Sequence, residues 1–427
     1  MGSCLSVDGT RARTINYSPA STSSTGKLRN PRKKLRRNSS FESRMEMRLH
    51  RIPGRLFLNG STQVASLFCK QGQKGINQDA MIVWENFCSK EDTIFCGVFD
   101  GHGPFGHKVA KKVRDSLPLK LTAQWELHCS SKNQMSDVST STTGSLKSGE
   151  IAFRMVDEEQ NAINDLHKDN LTNIFMTLKE SFLKACKVMD KELKLHGDIN
   201  CYSSGTTAVT LVKQGQDLVI GNVGDSRAVL GSRDNEGALT AVQLTIDLKP
   251  NLPREEERIR LCKGRVFALR YEPEVARVWL PNCDSPGLAM ARAFGDFCLK
   301  DFGLISVPDV FSYHLSEKDE FVVLATDGVW DVLSNKEVVD IVAAAPQSSA
   351  ARMVVESAVR AWRMKFPTSK VDDCAVVCLF LDTSSNYTSI HNEESETSIV
   401  NPLDDGSRKV DPESTGKDHR GISKCPV

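Results

Sequence analysis

The chain has 427 residues, of which 40% are hydrophobic and 26% charged, and its formal net charge is +1. These values are ordinary for a globular protein with a sizeable core, and the near-neutral charge argues against a nucleic-acid-binding protein. The 13 cysteines form no CxxC pair, so neither a disulfide framework nor a zinc cluster is expected. No run of 18 apolar residues occurs, so no transmembrane helix is predicted.

Residues 1–58 form a basic, serine-rich segment that the composition predicts to be disordered. The first six residues (MGSCLS) match the pattern for myristoylation of Gly2, and Cys4 is available for palmitoylation. Seven of the eleven residues from Lys27 to Arg37 are basic, which would strengthen binding to an anionic membrane. The predicted location is therefore the cytoplasmic face of the plasma membrane or the cytoplasm. A nuclear-localisation signal or a plain solvated run explains the same basic residues, so the nucleus stays open.

Residues 59–383 carry the pattern of one folded domain, and residues 384–427 are polar and non-periodic, which predicts a disordered tail. Short turns such as residues 213–216 favour antiparallel hairpins, so the predicted fold class is α+β. In chain order the predicted elements are a strand at Ile94–Asp100, a helix at Pro104–Leu121, a surface insertion at about 126–170, a helix at Leu171–Leu195, strands at Thr206–Lys213, Asp217–Asn222, Arg227–Gly231 and Ala238–Leu244, a helix at Arg254–Lys263, a strand at Glu320–Ala325, helices at Asn335–Ala345 and Ser348–Phe366, and a strand at Ala375–Leu381.

Several aspartates stand where a hydrophobic strand meets a turn. They are Asp79, Asp100, Asp225, Asp327 and Asp372, the last followed by Asp373. Burying such carboxylates together is unfavourable unless cations neutralise them, and hard cations prefer oxygen ligands. The glycines after Asp100 and Asp327 let the backbone approach an ion closely. Two magnesium-like ions held by these residues could activate a shared water and clamp a phosphoryl group.

Each of these features also has a plainer explanation. A single Asp-Gly is usually a turn, and Asp372-Asp373 fits ordinary loop polarity. His102 could protonate a leaving alkoxide, but a loop histidine is more often structural or exposed. Because no spacing rule joins these residues in space, the residues alone leave both interpretations open.

Eight motifs, in this order along the chain, resemble those of the type 2C, metal-dependent protein serine/threonine phosphatases, and within that family the plant branch. They are Gly75–Asp79 (GINQD), Phe99–Gly103 (FDGHG), Ser204–Ala208 (SGTTA), Asn222–Arg227 (NVGDSR), Leu244–Pro250 (LTIDLKP), Leu288–Asp296 (LAMARAFGD), Leu324–Asp331 (LATDGVWD) and Asp372–Val377 (DDCAVV).

The resemblance implies a four-layer α-β-β-α sandwich with two central antiparallel sheets and a metal site at one end. It implies that Asp100 bridges two Mg²⁺ or Mn²⁺ ions, that the Gly101 carbonyl is a ligand, and that Asp79 (through water), Asp327 and Asp372 complete the ligand set. Asp225 would help to bind a weaker third ion, and His102 would be the general acid. No covalent phosphoenzyme is implied, because activated water attacks directly.

The chain departs from the family at two positions. Lys74 stands where many members have an arginine that grips the substrate phosphate, and a lysine supplies charge without the bidentate fork. Gln78 stands where many have a glutamate.

The resemblance implies a monomeric enzyme acting on phosphorylated proteins, with kinases as expected substrates. A catalytically weak binder that sequesters kinases is the alternative, since Lys74 and Gln78 differ from the family pattern. A two-metal phosphodiesterase acting on nucleic acid is disfavoured by the charge balance.

Acylation at Gly2 gives the first testable prediction. We expect an N-myristoyltransferase to attach radiolabelled myristate to the wild-type chain and not to the Gly2→Ala variant. Because one acyl chain gives an affinity of only about 10⁴ M⁻¹, Cys4→Ser should keep the label but bind membranes more weakly in cells. A wild-type chain that takes up no label, or membrane binding unchanged in Gly2→Ala, would remove the anchoring hypothesis.

Overall fold

The structure is a computed structural model that describes residues 48–49, 51–134 and 166–381. The acylation site at Gly2 and Cys4, the basic run Lys27–Arg37, the middle of the predicted insertion and the predicted C-terminal tail lie outside the described residues. Among the described residues, no helix has the length and apolar character needed to cross a membrane.

The described strands fall into four sheets. They are β1 (Arg55–Leu56), β2 (Gly60–Ser61), β3 (Ala65–Lys70), β4 (Ala80–Glu85), β5 (Thr93–Phe99), β6 (Gly101–His102), β7 (Gly205–Thr206), β8 (Ala208–Gln214), β9 (Asp217–Val223), β10 (Arg227–Arg233), β11 (Leu239–Gln243), β12 (Arg265–Leu269), β13 (Glu272–Trp279), β14 (Pro286–Leu288), β15 (Phe294–Gly295), β16 (Asp309–His314), β17 (Asp319–Ala325) and β18 (Cys374–Phe380). The described helices are α1 (Gly106–Gln134), α2 (Leu166–Leu195), α3 (Pro253–Leu261), α4 (Phe297–Lys300), α5 (Asp327–Trp330), α6 (Asn335–Ala344) and α7 (Ala350–Lys365).

Two six-stranded antiparallel sheets form the centre of the domain. The first sheet has the order β1-β4-β5-β8-β9-β16, and the second has the order β11-β10-β17-β18-β3-β2. Helices α1 and α2 pack on the outer face of the first sheet, and α6 and α7 pack on the outer face of the second. A third apolar cluster fills the space between the sheets. This arrangement confirms the predicted four-layer α-β-β-α sandwich.

Burial on both faces explains the continuous apolar runs in the sequence. Strand β18 (CAVVCLF) is buried along its whole length because α7 covers one face and the first sheet covers the other.

Helix α6 begins at a capping box in which Ser334 and Glu337 satisfy each other's backbone N–H groups. The predicted hairpin after Lys213 is confirmed, since Gln214 pairs with Asp217 across a two-residue turn.

Two smaller sheets lie beside the sandwich. One has the order β12-β13-β14 and packs with α3 around the buried side chains of Ile259 and Val278. Trp279 is buried there against Phe267, with 5.0 Å between ring centroids. The other sheet has the order β15-β7-β6 and reaches the candidate site.

Several predicted boundaries were wrong. Strand β1 and the buried side chain of Phe57 precede residue 59, so the folded domain begins earlier than predicted. Helix α1 continues past Leu121 to Gln134 and α2 begins at Leu166, so both helices enter the predicted insertion from its two ends. Long amphipathic helices can cross Ser/Thr-rich sequence when one face packs on a sheet, because tertiary packing overrides weak local propensity.

Candidate metal centre

The strand register brings the predicted aspartates to one end of the sandwich. Ala80 pairs with Phe99, so Asp79, which precedes β4, lies beside Asp100, which follows β5. In the second sheet Ala325 pairs with Arg227 and with Val376. This places Asp225 before β10, Asp327 after β17 and Asp372 before β18 at the same end. Five aspartates from distant parts of the chain therefore lie at the same end of the sandwich.

Asp79 and Asp100 are fixed by threonine hydroxyls. Asp79 Oδ2 accepts a hydrogen bond of 2.7 Å from Thr326 Oγ1. The Asp100 backbone N–H donates to Thr207 Oγ1 at 3.1 Å, and its carbonyl accepts from the Thr207 N–H at 2.9 Å. The Thr326–Asp79 contact joins the end of the second sheet to the end of the first, and the Asp100 carboxyl lies near that of Asp327.

Asp372 and Asp373 have different surroundings although they are neighbours. Asp372 Oδ2 lies 2.5 Å from Lys74 Nζ. Asp373 turns to the backbone of the loop before β4, where its two oxygens accept from the Gly72 N–H at 2.7 Å and the Gln78 N–H at 2.8 Å. Asp373 therefore holds the loop that carries Lys74, while Asp372 faces the cleft.

Crowding of the buried carboxyls of Asp79, Asp100 and Asp327 raises their pKa values. The pKa of Asp327 is raised well above its ordinary value by burial and by the nearby charges of Asp100, Asp331 and Asp372. The pKa of Asp79 and that of Asp100 are raised for the same two reasons, burial first and neighbouring aspartates second. A raised pKa means that these carboxyls give up their protons less readily, and a bound cation would take the place of those protons.

Two lysines already neutralise part of this negative charge. Lys249 forms an ion pair with Asp225, and burial, which alone would lower the pKa of Lys249, is outweighed by Asp225, Asp327 and Asp331, which raise it. Lys74 does the same at Asp372. In the described part of the chain, no three His, Cys, Asp or Glu side chains stand in a ready-made ligand cluster. The two lysines engage one carboxylate oxygen each, of Asp372 and of Asp225.

The donor set nevertheless fits divalent cations. Within the described residues, Asp327 Oδ2 is buried with no hydrogen-bond partner. Gly101 donates its N–H to the Gln78 carbonyl at 3.2 Å, and a Cβ at Gly101 would lie 2.5 Å from the Gly106 carbonyl oxygen, so only glycine fits there. An oxygen-only set of carboxylates and one carbonyl suits Mg²⁺ or Mn²⁺.

The predicted third position at Asp225 fits an ion less well. Asp225 Oδ1 is buried without a partner in the described structure, but Oδ2 is paired with the Lys249 ammonium. An added ion would have to displace this built-in cation.

Gln78, which stands where many family members have a glutamate, packs at the start of α1. Its Oε1 atom lies against Gly106 at the start of α1, where an added Cβ would approach it to 2.0 Å. The substitution therefore affects the packing at the start of α1 more directly than it affects the carboxylates.

His102 lies in β6 and is buried, with its Nε2 atom 2.5 Å from Asp296 Oδ2. The sequence analysis placed Asp296, Lys249 and Thr326 in motifs but gave none of them a role. Membership of a motif was the only signal for these residues, because Lys249 lies 24 positions from its partner Asp225 and Thr326 lies 247 positions from its partner Asp79.

Comparisons with known proteins agree with this architecture. The family model "Protein phosphatase 2C" matches residues 148–368, just over half of the chain. "Probable protein phosphatase 2C 33" of Arabidopsis thaliana is 61% identical over 96% of this chain and 85% of its own length. "Probable protein phosphatase 2C 66" of Oryza sativa subsp. japonica is 61% identical over 82% of this chain and 65% of its own length.

Among solved structures, the serine-threonine phosphatase 2C of Toxoplasma gondii aligns with a TM-score of 0.62 at 23% identity. The alignment covers 77% of this chain and 99% of that one. At this identity the likeness shows a shared fold.

Repulsion at Asp327 gives a prediction for the chain without metal. Because the pKa of Asp327 is higher in the folded than in the unfolded chain, the free energy of unfolding falls as pH rises from the ordinary aspartate pKa towards the folded value. Asp327→Asn should therefore stabilise the chain in EDTA at pH 7 by about 1–3 kcal/mol, and remove most of the stabilisation by Mn²⁺. Thermal unfolding with EDTA and with Mn²⁺ measures both.

Asp340→Asn is the matched control, because Asp340 is exposed on α6. It should change neither quantity. A lower unfolding temperature of Asp327→Asn in EDTA would contradict the assigned repulsion.

Proposed function

The chain belongs to the protein phosphatase 2C family of protein serine/threonine phosphatases, and from this premise we propose how its site works. Phosphoserine and phosphothreonine in proteins are hydrolysed by direct attack of water, without a covalent phosphoenzyme. Asp79, Asp100, Asp327, Asp372 and the Gly101 carbonyl would hold two Mg²⁺ or Mn²⁺ ions. The observation that carries this proposal is the convergence of buried carboxyls whose pKa values are raised by burial and by one another.

When bound, such ions supply Lewis acidity that activates water and neutralises charge on the phosphoryl group. Asp100 stands at the centre of the set, because its carboxyl is close to those of Asp79, Asp327 and Asp372. It is therefore the residue best placed to serve both ions.

His102 and Lys74 act on the substrate in this proposal. His102 donates a proton to the serine or threonine oxygen as the bond from that oxygen to phosphorus breaks. Lys74 supplies a positive charge to the phosphate. Its ion pair with Asp372 means that phosphate binding competes with this contact. Since lysine lacks the planar fork of arginine, it attracts the phosphate without fixing its orientation.

The expected substrates are phosphorylated proteins, kinases among them, and the enzyme is proposed to act as a monomer. The acylation pattern at Gly2 and Cys4 supports a proposed location at the cytoplasmic face of the membrane, with the cytoplasm and nucleus as alternatives. The alternative function, a catalytically weak binder of kinases, draws its support from the Lys74–Asp372 pair, which engages the residue expected to grip phosphate.

One assay separates the two functions. The full-length chain is given a phosphothreonine peptide with Mn²⁺, with Mg²⁺ and with EDTA. Metal-dependent phosphate release is expected, with a loss of about 100-fold or more in Asp100→Asn and none in the exposed Asp340→Asn. Full activity of Asp100→Asn would contradict the site, and tight kinase binding without turnover by the wild type would support the binder.

The Lys249–Asp225 pair predicts the number of ions. We expect two Mn²⁺ ions per chain by isothermal titration calorimetry, because the Lys249 ammonium already neutralises Asp225. Lys249→Met keeps the length of the side chain but exposes Asp225, Asp327 and Asp331 to one another, so it should add a third, weaker ion.

Lys336→Met is the control, because Lys336 pairs with Asp340 on the exposed face of α6. It should leave the count at two. Three ions in the wild type, or two in Lys249→Met, would show that Lys249 does not occupy the third position.

A further inference from the structure

His102 and Asp296 form a buried pair at the edge of the metal centre. The Nε2 atom of His102 lies 2.5 Å from Asp296 Oδ2. Both residues are almost inaccessible, with 6% and 2% of their surfaces exposed. The other ring nitrogen, Nδ1, is also buried, and in the described part of the chain it has no hydrogen-bond partner. A buried polar atom without a hydrogen-bond partner requires an explanation, and a substrate oxygen as its missing partner would supply one.

A three-stranded sheet places the two partners on either side of β7. Gly205 of β7 pairs with His102 of β6 on one side and with Gly295 of β15 on the other. Asp296 directly follows Gly295, so its side chain reaches the imidazole across Gly205. A Cβ at Gly205 would lie 2.0 Å from Asp296 Oδ2 and 2.7 Å from His102 Nε2, so only glycine permits the contact.

The backbone of Asp296 is held in an unfavourable conformation. Its φ of 48° and ψ of 47° are left-handed, a region that non-glycine residues seldom adopt. Its N–H donates to the Ser204 carbonyl at 3.0 Å, and its carbonyl accepts from the Leu299 N–H at 2.9 Å. Such strain persists where surrounding contacts fix the residue, and it is common at functional sites.

The donor and acceptor roles follow from this geometry. A carboxylate only accepts hydrogen bonds, so the imidazole directs its Nε2–H to Asp296 and keeps Nδ1 for another partner. In the imidazolium form Nδ1 also carries a proton. A carboxylate bonded to one ring nitrogen of a histidine fixes the orientation of the ring and of the other nitrogen.

We propose that Asp296 is the positioning residue for His102, holding the ring so that Nδ1 delivers its proton to the serine or threonine oxygen. This inference rests on the proposed hydrolysis and on His102 as its general acid. As the bond from phosphorus to the ester oxygen breaks, the Nδ1 proton moves to that oxygen, and the imidazole stays bound to Asp296 through Nε2–H.

Leaving-group dependence tests this role. The full-length chain with saturating Mn²⁺ is assayed on a phosphothreonine peptide, whose alkoxide needs a proton, and on p-nitrophenyl phosphate, whose nitrophenolate leaves without one. Asp296→Asn should lower kcat about 10- to 100-fold on the peptide and less than about threefold on the aryl ester. His102→Gln should change the ratio of kcat on the peptide to kcat on the aryl ester at least as much as Asp296→Asn does. The double variant should have the same kcat on the peptide as His102→Gln alone.

Asp190→Asn is the matched control. Asp190 holds the same segment, accepting from the Gly295 N–H at 2.9 Å and pairing with Lys300, but its carboxylate is bonded to these groups and not to His102. It should leave the ratio unchanged even if it lowers stability. Mn²⁺ titration and thermal unfolding of each variant check that the metal centre and the fold remain.

The outcomes distinguish failure of the proposed role of Asp296 from failure of the proposed hydrolysis. If the wild type releases phosphate from neither substrate, the proposed hydrolysis is wrong and the inference falls with it. If the wild type is active but His102→Gln leaves the ratio unchanged, His102 is not the acid, and the role of Asp296 is also overturned. If only His102→Gln changes the ratio, or if Asp296→Asn lowers both rates equally, Asp296 is structural and the inference alone is overturned.

Discussion

Mutual repulsion among buried carboxylates is the constraint on which the rest of the structure depends. The ends of the strands carry aspartates into a buried part of the domain, where burial and the neighbouring carboxylates raise the pKa values of Asp79, Asp100 and Asp327. Protons, the ammonium groups of Lys74 and Lys249, and bound divalent ions are the three ways to relieve this repulsion. We therefore expect the same unfavourable interaction to destabilise the metal-free chain and to favour the binding of cations.

Around this centre the contacts divide into two kinds. Some fix backbone: Asp373 holds the loop before β4, and Thr207 holds Asp100 in place. Others orient a side chain that faces the cleft, such as the bond from Thr326 to Asp79 or the contact of Asp296 with His102. A reactive group needs both, because a rigid backbone alone leaves the side chain free to rotate.

The sequence predicts those features that depend on local pattern. Continuous apolar runs predicted β18 and β17 to within a residue or two, since strands buried on both faces carry no polar alternation. Strands β12 and β13 were missed because they are only half-buried and include charged residues and Pro273. The aspartates were identified by their places at strand ends. The partners Lys249 and Asp296 were not assigned, because strand register brings them into contact and register cannot be derived from one sequence.

The proposed ligand set draws on both sheets and spans nearly the whole domain, from Asp79 to Asp372. During synthesis the ribosome releases Asp79 and Asp100 almost 300 residues before β18 can pair with β17 and bring in the last carboxylate. No fragment cut between these points carries a complete site, and two separated halves would each expose an unpaired sheet edge. We therefore expect a chain shortened before β18 to lose its phosphatase activity and its folded structure together.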